Sequence, residues 1–413
     1  MRRSLTCAAL TLSLLSACST SPVPAPSAAR PATLVTVPVT PTTTDADLAR
    51  RYGGTVEART ATFAVIGNPT AAPLAASGLK AERNERRVSV PDSETHASGD
   101  KIWATGITAW ASGDKIWATS LRNFGEHIGN GWDGNRFTVF PQNSQEFLAI
   151  GVRDAQLSSR YHGDPVIAVI DGPMDTAHPA LSESLVNSNN WYDFASDDAS
   201  PTVTGASGTG AAYGHATAVA GVALQVAPKS RILPVQVLAE DGSGYVLDLV
   251  QGIIWAADHG ADVLNLSVGT DTDSPALRSA LDYAQSRGVE IAAAAGNSGA
   301  AQLDYPAAYL AATGSGVAVG SVTAQGQPSS FSATGPRMLF APGEGLRSLY
   351  PAGREASWSG TSFSTPIAAA ALAMQLSESG TPANHYARLF SLGTAITPAH
   401  SDWKSLDLHN LLD

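Results

Sequence analysis

Five apolar runs constrain this chain more than any other feature. They are VIAVI at 166–170, RILPVQVL at 231–238, DVLNLS at 262–267, VEIAAAA at 289–295 and GVAVGSV at 316–322. Predominantly apolar runs of this length, without polar alternation, read as strands buried on both faces. The stretches between them have helical periodicity. Val246, Val250, Ile253 and Ala257 are spaced 4, 3 and 4, which is one helix face. The expected fold class is therefore α/β: a doubly wound, mostly parallel sheet with helices on both faces. In such a sheet, groups at the carboxyl ends of strands and at the starts of the following helices meet in one crevice.

Four segments put chemistry at those positions. Asp171 follows the first apolar strand in AVIDG. His215 opens a small-residue helical run in YGHATAVAGV. Ser362 stands at a glycine turn into a second such run, SGTSFSTPIAAAA. Asn297 follows the strand that ends AAAAG. A serine nucleophile needs a neutral imidazole to take its proton, and the imidazole needs a carboxylate to hold its tautomer. A helix beginning at Ser362 aims free backbone N–H groups at a developing oxyanion, and the Asn297 amide is a second donor.

The order Asp, His, Ser and seven strings in succession resemble the subtilisin-like serine proteases, the subtilases. The strings are AVIDG, GHATAVAGV, DVLNLSVG, AAAAGNSG, DYPAAY, APGEG and SGTSFSTP, spread over about 165–378. The resemblance implies a serine endopeptidase acting on polypeptide substrates without an organic cofactor. It implies Asp171, His215 and Ser362 as the triad and Asn297 as the oxyanion residue. It makes Ser267, Val268 and Gly269, and Gly242, Ser243 and Gly244, the two edges that pair with an extended substrate. It also puts Asp304 at the floor of the primary specificity pocket, where a carboxylate favours Lys or Arg beside the scissile bond; the alternative is a solvent-facing Asp304 and an apolar preference. Three residues depart from the family pattern: Gly172-Pro173 after Asp171, Ala216 in place of glycine, and Phe363 in place of methionine. The helix after His215 lacks the loop that builds a calcium site in many relatives, so none is expected there; a weaker calcium site elsewhere stays open. Asp171, Asp175 and His178 also allow a metal reading, but the resemblance assigns AHPAL to a structural turn, and no metal is expected.

The segments before this region differ in character. Arg2 and Arg3 precede an uncharged, mostly apolar stretch from Ser4 to Ala17. This is signal-peptide architecture, too short to span a bilayer. Its end, Leu15-Ser16-Ala17-Cys18, resembles a bacterial lipoprotein signal, with Cys18 lipidated and anchoring the chain to a membrane; an ordinary signal peptide is the alternative. Residues 18–44 read as a Pro/Ser/Thr-rich tether. Residues 45–92 read as a small α+β unit that resembles the family's propeptide and is expected to act as an intramolecular inhibitor. At 93–142, ASGDKIWAT occurs at 97–105 and again at 111–119, with Trp103, Trp110 and Trp117 seven apart. A glycine in each heptad argues against a coiled coil. Short strands with glycine turns fit better, either as a packing feature or as an aromatic binding surface. Residues 143–413 are the expected catalytic domain. The two cysteines, Cys7 and Cys18, exclude a disulfide framework. A net charge of −11 argues against nucleic-acid binding. The expectation is an exported, lipid-anchored, self-processing endopeptidase of the cell envelope. Its rival is a catalytically silent surface lipoprotein that binds through the protease-like domain and the tryptophan repeat.

Overall fold

The computed structural model describes residues 30–70, 74, 77–84, 88–89, 139–203, 213–379 and 385–412. The expected leader, Cys18 and the tryptophan repeat lie outside the described residues.

Two bodies are present. The N-terminal one has β1 (Thr33–Pro38), α1 (Asp45–Tyr52), β2 (Thr55–Arg59), β3 (Phe63–Gly67) and β4 (Glu82–Arg83), with sheet order β2-β3-β1-β4. A reciprocal capping box between Thr44 and Asp47 starts α1. The boundary expected at 45 is too late, because β1 lies inside the stretch read as a tether and is flanked on both sides. Leu34, Val35 and Val37 are buried there. Three apolar residues in a threonine- and proline-rich setting are a weak signal alone, yet they close the sheet. The stretch from Thr55 to Ile66 is a hairpin of two strands, β2 and β3, because Thr60 turns the chain by bonding Phe63. Of the strand expected over Leu79–Val90, β4 and the two-residue β5 (Val88–Ser89) are found. The helix expected at Ala71–Ser77 falls mostly outside the described residues.

The second body begins with the short helices α2 (Ser144–Ala149) and α3 (Val152–Leu157). It then alternates β6 (Val166–Asp171), β7 (Tyr192–Asp193), α4 (His215–Val226), β8 (Arg231–Gln236), β9 (Ser243–Gly244), α5 (Val246–Asp258), β10 (Val263–Leu266), α6 (Pro275–Ser286), β11 (Glu290–Ala294), α7 (Ala307–Thr313), β12 (Val317–Val322) and β13 (Met338–Pro342). The hairpin β14 (Leu346–Tyr350) and β15 (Arg354–Trp358), α8 (Thr361–Ser379), α9 (His385–Leu392), β16 (Thr394–Thr397) and β17 (His400–Ser405) complete it.

The main sheet runs β16-β17-β13-β12-β11-β10-β6-β8-β7, and only the β16–β17 pair is antiparallel. Successive strand residues point to opposite faces and both faces are covered. Ile167 and Val169 join α4 and α8 in one core, while Ala168 and Ile170 join α5 and α6 in the other. The chain winds from β6 first toward β8 and later toward β10, so the order reverses at β6. In an open α/β sheet that switch point opens a crevice at the carboxyl ends of the strands, and Asp171 is the last residue of β6.

The N-terminal sheet packs on α5 and α6. Leu34, Phe63 and Val65 enter the core built on those helices, and Phe63 meets Tyr283 edge-on at 6.4 Å. Asn84 and Glu82 also cap the helices. The Leu247 N–H donates to Asn84 Oδ1 at 3.2 Å, and the Ala276 N–H donates to Glu82 Oε1 at 3.1 Å. Both are first-turn donors without an intrahelical acceptor.

Candidate active site

Asp171 is fully buried at the end of β6. Gly214, in the left-handed region at φ 82°, turns the chain so that His215 opens α4. The imidazole Nδ1 lies 2.8 Å from Asp171 Oδ1 and 3.0 Å from Oδ2. The Gly172 N–H also donates to Asp171 Oδ1 at 2.6 Å, so the unusual residue after the aspartate contributes to holding the carboxylate.

Ser362 is the second residue of α8. Gly360 precedes the helix at φ 146°, and Asn297 Nδ2 lies only 3.1 Å from where a Cβ at Gly360 would stand. The backbone conformation favours glycine there, and a Cβ would crowd the Asn297 amide. Ser362 Oγ donates to the Ser267 carbonyl at 3.3 Å, while Ser267 Oγ donates to the Ser362 carbonyl at 2.8 Å. The two segments thus clasp each other. The Phe363 ring stands 5.3 Å from the His215 ring and 5.2 Å from Trp358. The residue after Ser362 accordingly packs an aromatic wall against the imidazole.

Asn297 is oriented by its neighbour. Its Oδ1 accepts from the Thr361 N–H and from Thr361 Oγ1, both at 2.9 Å. That turns Nδ2 toward Gly360. Asp304 lies between two glycines: Gly296 leaves no room for a Cβ against its carboxylate, at 2.4 Å from Oδ2, and Gly269 approaches its Cβ. Burial, then the nearby Asp271 charge, raises the Asp304 carboxyl to about 6. Asp304 therefore sits in a partly desolvated niche.

The two expected substrate edges already hold a peptide segment, and it belongs to this chain. Val88 pairs with Gly244 and Ser89 with Ser243, antiparallel. Across the cleft, Ser89 and Gly269 exchange both backbone hydrogen bonds, at 2.9 and 2.8 Å. Gly269, Ser243 and Gly244 thus meet in one cleft, with Val268 buried beside them. Gly242 instead occupies the turn, at φ 83°, with its N–H on the Ala239 carbonyl.

Asp175 and His178 go elsewhere. Asp175 accepts the N–H groups of Ala177 and Ala352. His178 is buried, bonded to Ala180 and Arg354, and burial lowers its pKa. Among the described residues no group of three or more His, Cys, Asp or Glu side chains is placed to hold a metal ion, and α4 is continuous from His215 to Val226. Sequence reasoning missed Thr361 as the partner that orients Asn297. Its adjacency to Ser362 was the available signal. It also missed that Val88 and Ser89 reach the cleft, which no local pattern encodes.

Residues 163–401 match the model of the Subtilase family. The chain is 37% identical over 239 residues to a subtilisin of Bacillus pumilus, covering 56% of this chain and 84% of that one. It is 34% identical over 244 residues to thermitase of Thermoactinomyces vulgaris, covering 57% and 84%. In structure it resembles a cold-adapted subtilisin-like serine proteinase, with a TM-score of 0.52 and 32% identity over 60% of this chain and 91% of that one. With the fold and these likenesses together, the chain belongs to the Subtilase family and is a subtilisin-like serine endopeptidase.

Proposed function

We propose that Ser362, His215 and Asp171 carry out peptide hydrolysis and that the N-terminal body is a propeptide which the enzyme cuts from itself. The observation that carries this reading is the bifurcated contact of His215 Nδ1 with the buried Asp171 carboxylate. It fixes the tautomer that leaves Nε2 as the base. The Ser362 hydroxyl turns from the Ser267 carbonyl toward Nε2, gives up its proton and attacks the scissile carbonyl. His215 then protonates the leaving amine. Asn297 Nδ2 and the Ser362 N–H receive the oxyanion. Water deacylates the enzyme by the same steps in reverse. A serine-directed phosphonate should label the wild type and leave Ser362→Ala unlabelled; labelling of neither would favour the silent lipoprotein.

Val88 and Ser89 occupy the cleft as a substrate would, which supports an intramolecular inhibitor. Ser89 already exchanges backbone hydrogen bonds with Gly269, two residues from Ser267, so the cut belongs only a few residues further along the chain. Counted in sequence from Ser89, the bond cut falls at about Pro91–Asp92. That bond does not follow a basic residue. Tethered presentation raises its effective concentration enough that side-chain preference is not needed.

On other substrates, Asp304 selects Lys or Arg next to the scissile bond. Because its carboxyl titrates near 6, it is neutral below that pH and attracts a cation above it. The kcat/KM ratio for arginine over phenylalanine at that position should rise about 6- to 10-fold between pH 5 and 7.5: one charge-assisted hydrogen bond is worth about 10- to 150-fold, but a carboxyl titrating near 6 is already about one-tenth ionised at pH 5. Asp304→Asn should flatten the profile; a flat wild-type profile would contradict the assignment.

Cys18 carries a lipid upstream of the propeptide. Self-cleavage therefore separates the catalytic domain from its anchor and releases it from the membrane into the envelope or beyond. Active enzyme that remains covalently lipidated would contradict this.

A further inference from the structure

Resting on the self-processing reading, we propose that Asp248 forms a second recognition site for an arginine side chain, filled by Arg30 before processing and open to polypeptide substrates afterwards. Asp248 stands in the first turn of α5, a position where a carboxylate normally faces water and the helix N-terminus. Here its side chain is only 2% exposed. Burying a charge is costly unless it is paired, and a guanidinium is present: Arg30 Nη2 lies 3.1 Å from Asp248 Oδ1 and also donates to the Phe194 carbonyl. A carboxylate and a carbonyl converging on one guanidinium make a built site whose ligand is supplied by the segment to be removed.

The surroundings explain why that ligand is in place. Asn84 caps α5 at Leu247 and donates through Nδ2 to the Pro31 carbonyl at 2.9 Å. This ties the residue next to Arg30 to the start of the helix. On the same face of α5, Gln251 donates to the Glu57 carbonyl at 2.8 Å. Every one of these contacts is with the N-terminal body and leaves with it. The helix itself stays anchored, since Trp255 Nε1 donates to Asn190 in the catalytic body at 2.8 Å.

Asp248 also lies close to the cleft in sequence. Gly244, which pairs with Val88, ends two residues before Val246 opens α5. The chain that enters the cleft at Val88 has passed the α5 N-terminus at Asn84, four residues earlier. A substrate strand bound as Val88 and Ser89 are bound would carry its N-terminal extension over the same helix end. An arginine in that extension would meet Asp248 and the Phe194 carbonyl. The site would thus add a distal basic preference to the one set by Asp304.

The test uses enzyme processed from the full chain and peptides with one common scissile sequence. A single arginine is stepped through the ten residues on the N-terminal side, with glutamine at the others. One position other than that beside the scissile bond should raise kcat/KM about 5- to 20-fold. In Asp248→Asn the ratio of that peptide to its all-glutamine counterpart should fall to about one. Should Asp248→Asn not yield folded protein, the wild type gives a second readout: millimolar Nα-acetylarginine amide should erase the gain and its citrulline analogue should not. No gain at any position, or a gain that survives Asp248→Asn or excess arginine amide, would overturn the site. Hydrolysis of the all-glutamine peptide reports the catalytic reading separately, since its absence would sink that reading and not this one alone.

Discussion

Alanine at Ser362 is expected to lower kcat by about a million-fold, the scale known for the same knockout in a subtilisin. In the proposed mechanism the hydroxyl is the nucleophile, so without it no acyl-enzyme forms. What remains is the rate supported by the oxyanion donors and by binding, about 10³–10⁴ over water. The change should leave the fold intact. Ser362 Oγ makes one long bond, 3.3 Å, to the Ser267 carbonyl, while the clasp in the other direction uses the Ser362 backbone. Because an uncut chain keeps its own segment in the cleft, the comparison should use chains whose N-terminal body has been removed by a second protease. Peptide hydrolysis then measures kcat, and thermal unfolding checks that the two proteins are equally stable. Residual activity within a hundredfold of wild type would remove Ser362 from the mechanism.

Asn297→Ala should lower kcat by about 10²–10³, or about 2.7–4 kcal/mol, with little change in KM; the magnitude is again that of a subtilisin. The substitution does two things at once. It deletes Nδ2, the proposed donor to the oxyanion, and it deletes Oδ1, the acceptor for the Thr361 N–H and Oγ1. Thr361 is fully buried, and a buried donor left without an acceptor costs about 1–3 kcal/mol. Asn297→Asp separates the two effects. It keeps the acceptor and so should keep stability, while its carboxylate opposes the oxyanion and should depress kcat at least as far as alanine does. A stable Asn297→Asp enzyme with wild-type kcat would place the second oxyanion donor elsewhere.

The main sheet was legible because strands buried on both faces have no polar alternation to obscure them. VIAVI and GVAVGSV became β6 and β12, and the 4, 3, 4 spacing of Val246, Val250, Ile253 and Ala257 became the buried face of α5. The residues of the candidate site were legible for a related reason. Asp171 at a strand end and His215 and Ser362 at helix starts are local features, and the topology of the sheet gathers such positions. What escaped was long-range or short. Two-residue strands such as β5 exist only because the cleft edges, more than 150 residues away in sequence, supply their partners. β1 was hidden among threonines and prolines, since Leu34, Val35 and Val37 are apolar but too few to stand out. The Arg30–Asp248 pair joins residues more than 200 apart, and nothing near either of them foretells the other. Phe363 was visible as a departure from the family pattern, but its packing against both His215 and Trp358 became evident only in three dimensions.

The central claim is that this chain is a serine endopeptidase whose first substrate is itself. The most direct measurement is the intact mass and N-terminal sequence of the purified wild type beside Ser362→Ala, both expressed without residues 1–17. The account predicts a wild type shortened to begin near Asp92 and a mutant that stays whole. Two uncut chains, or two chains cut at the same bond, would contradict it.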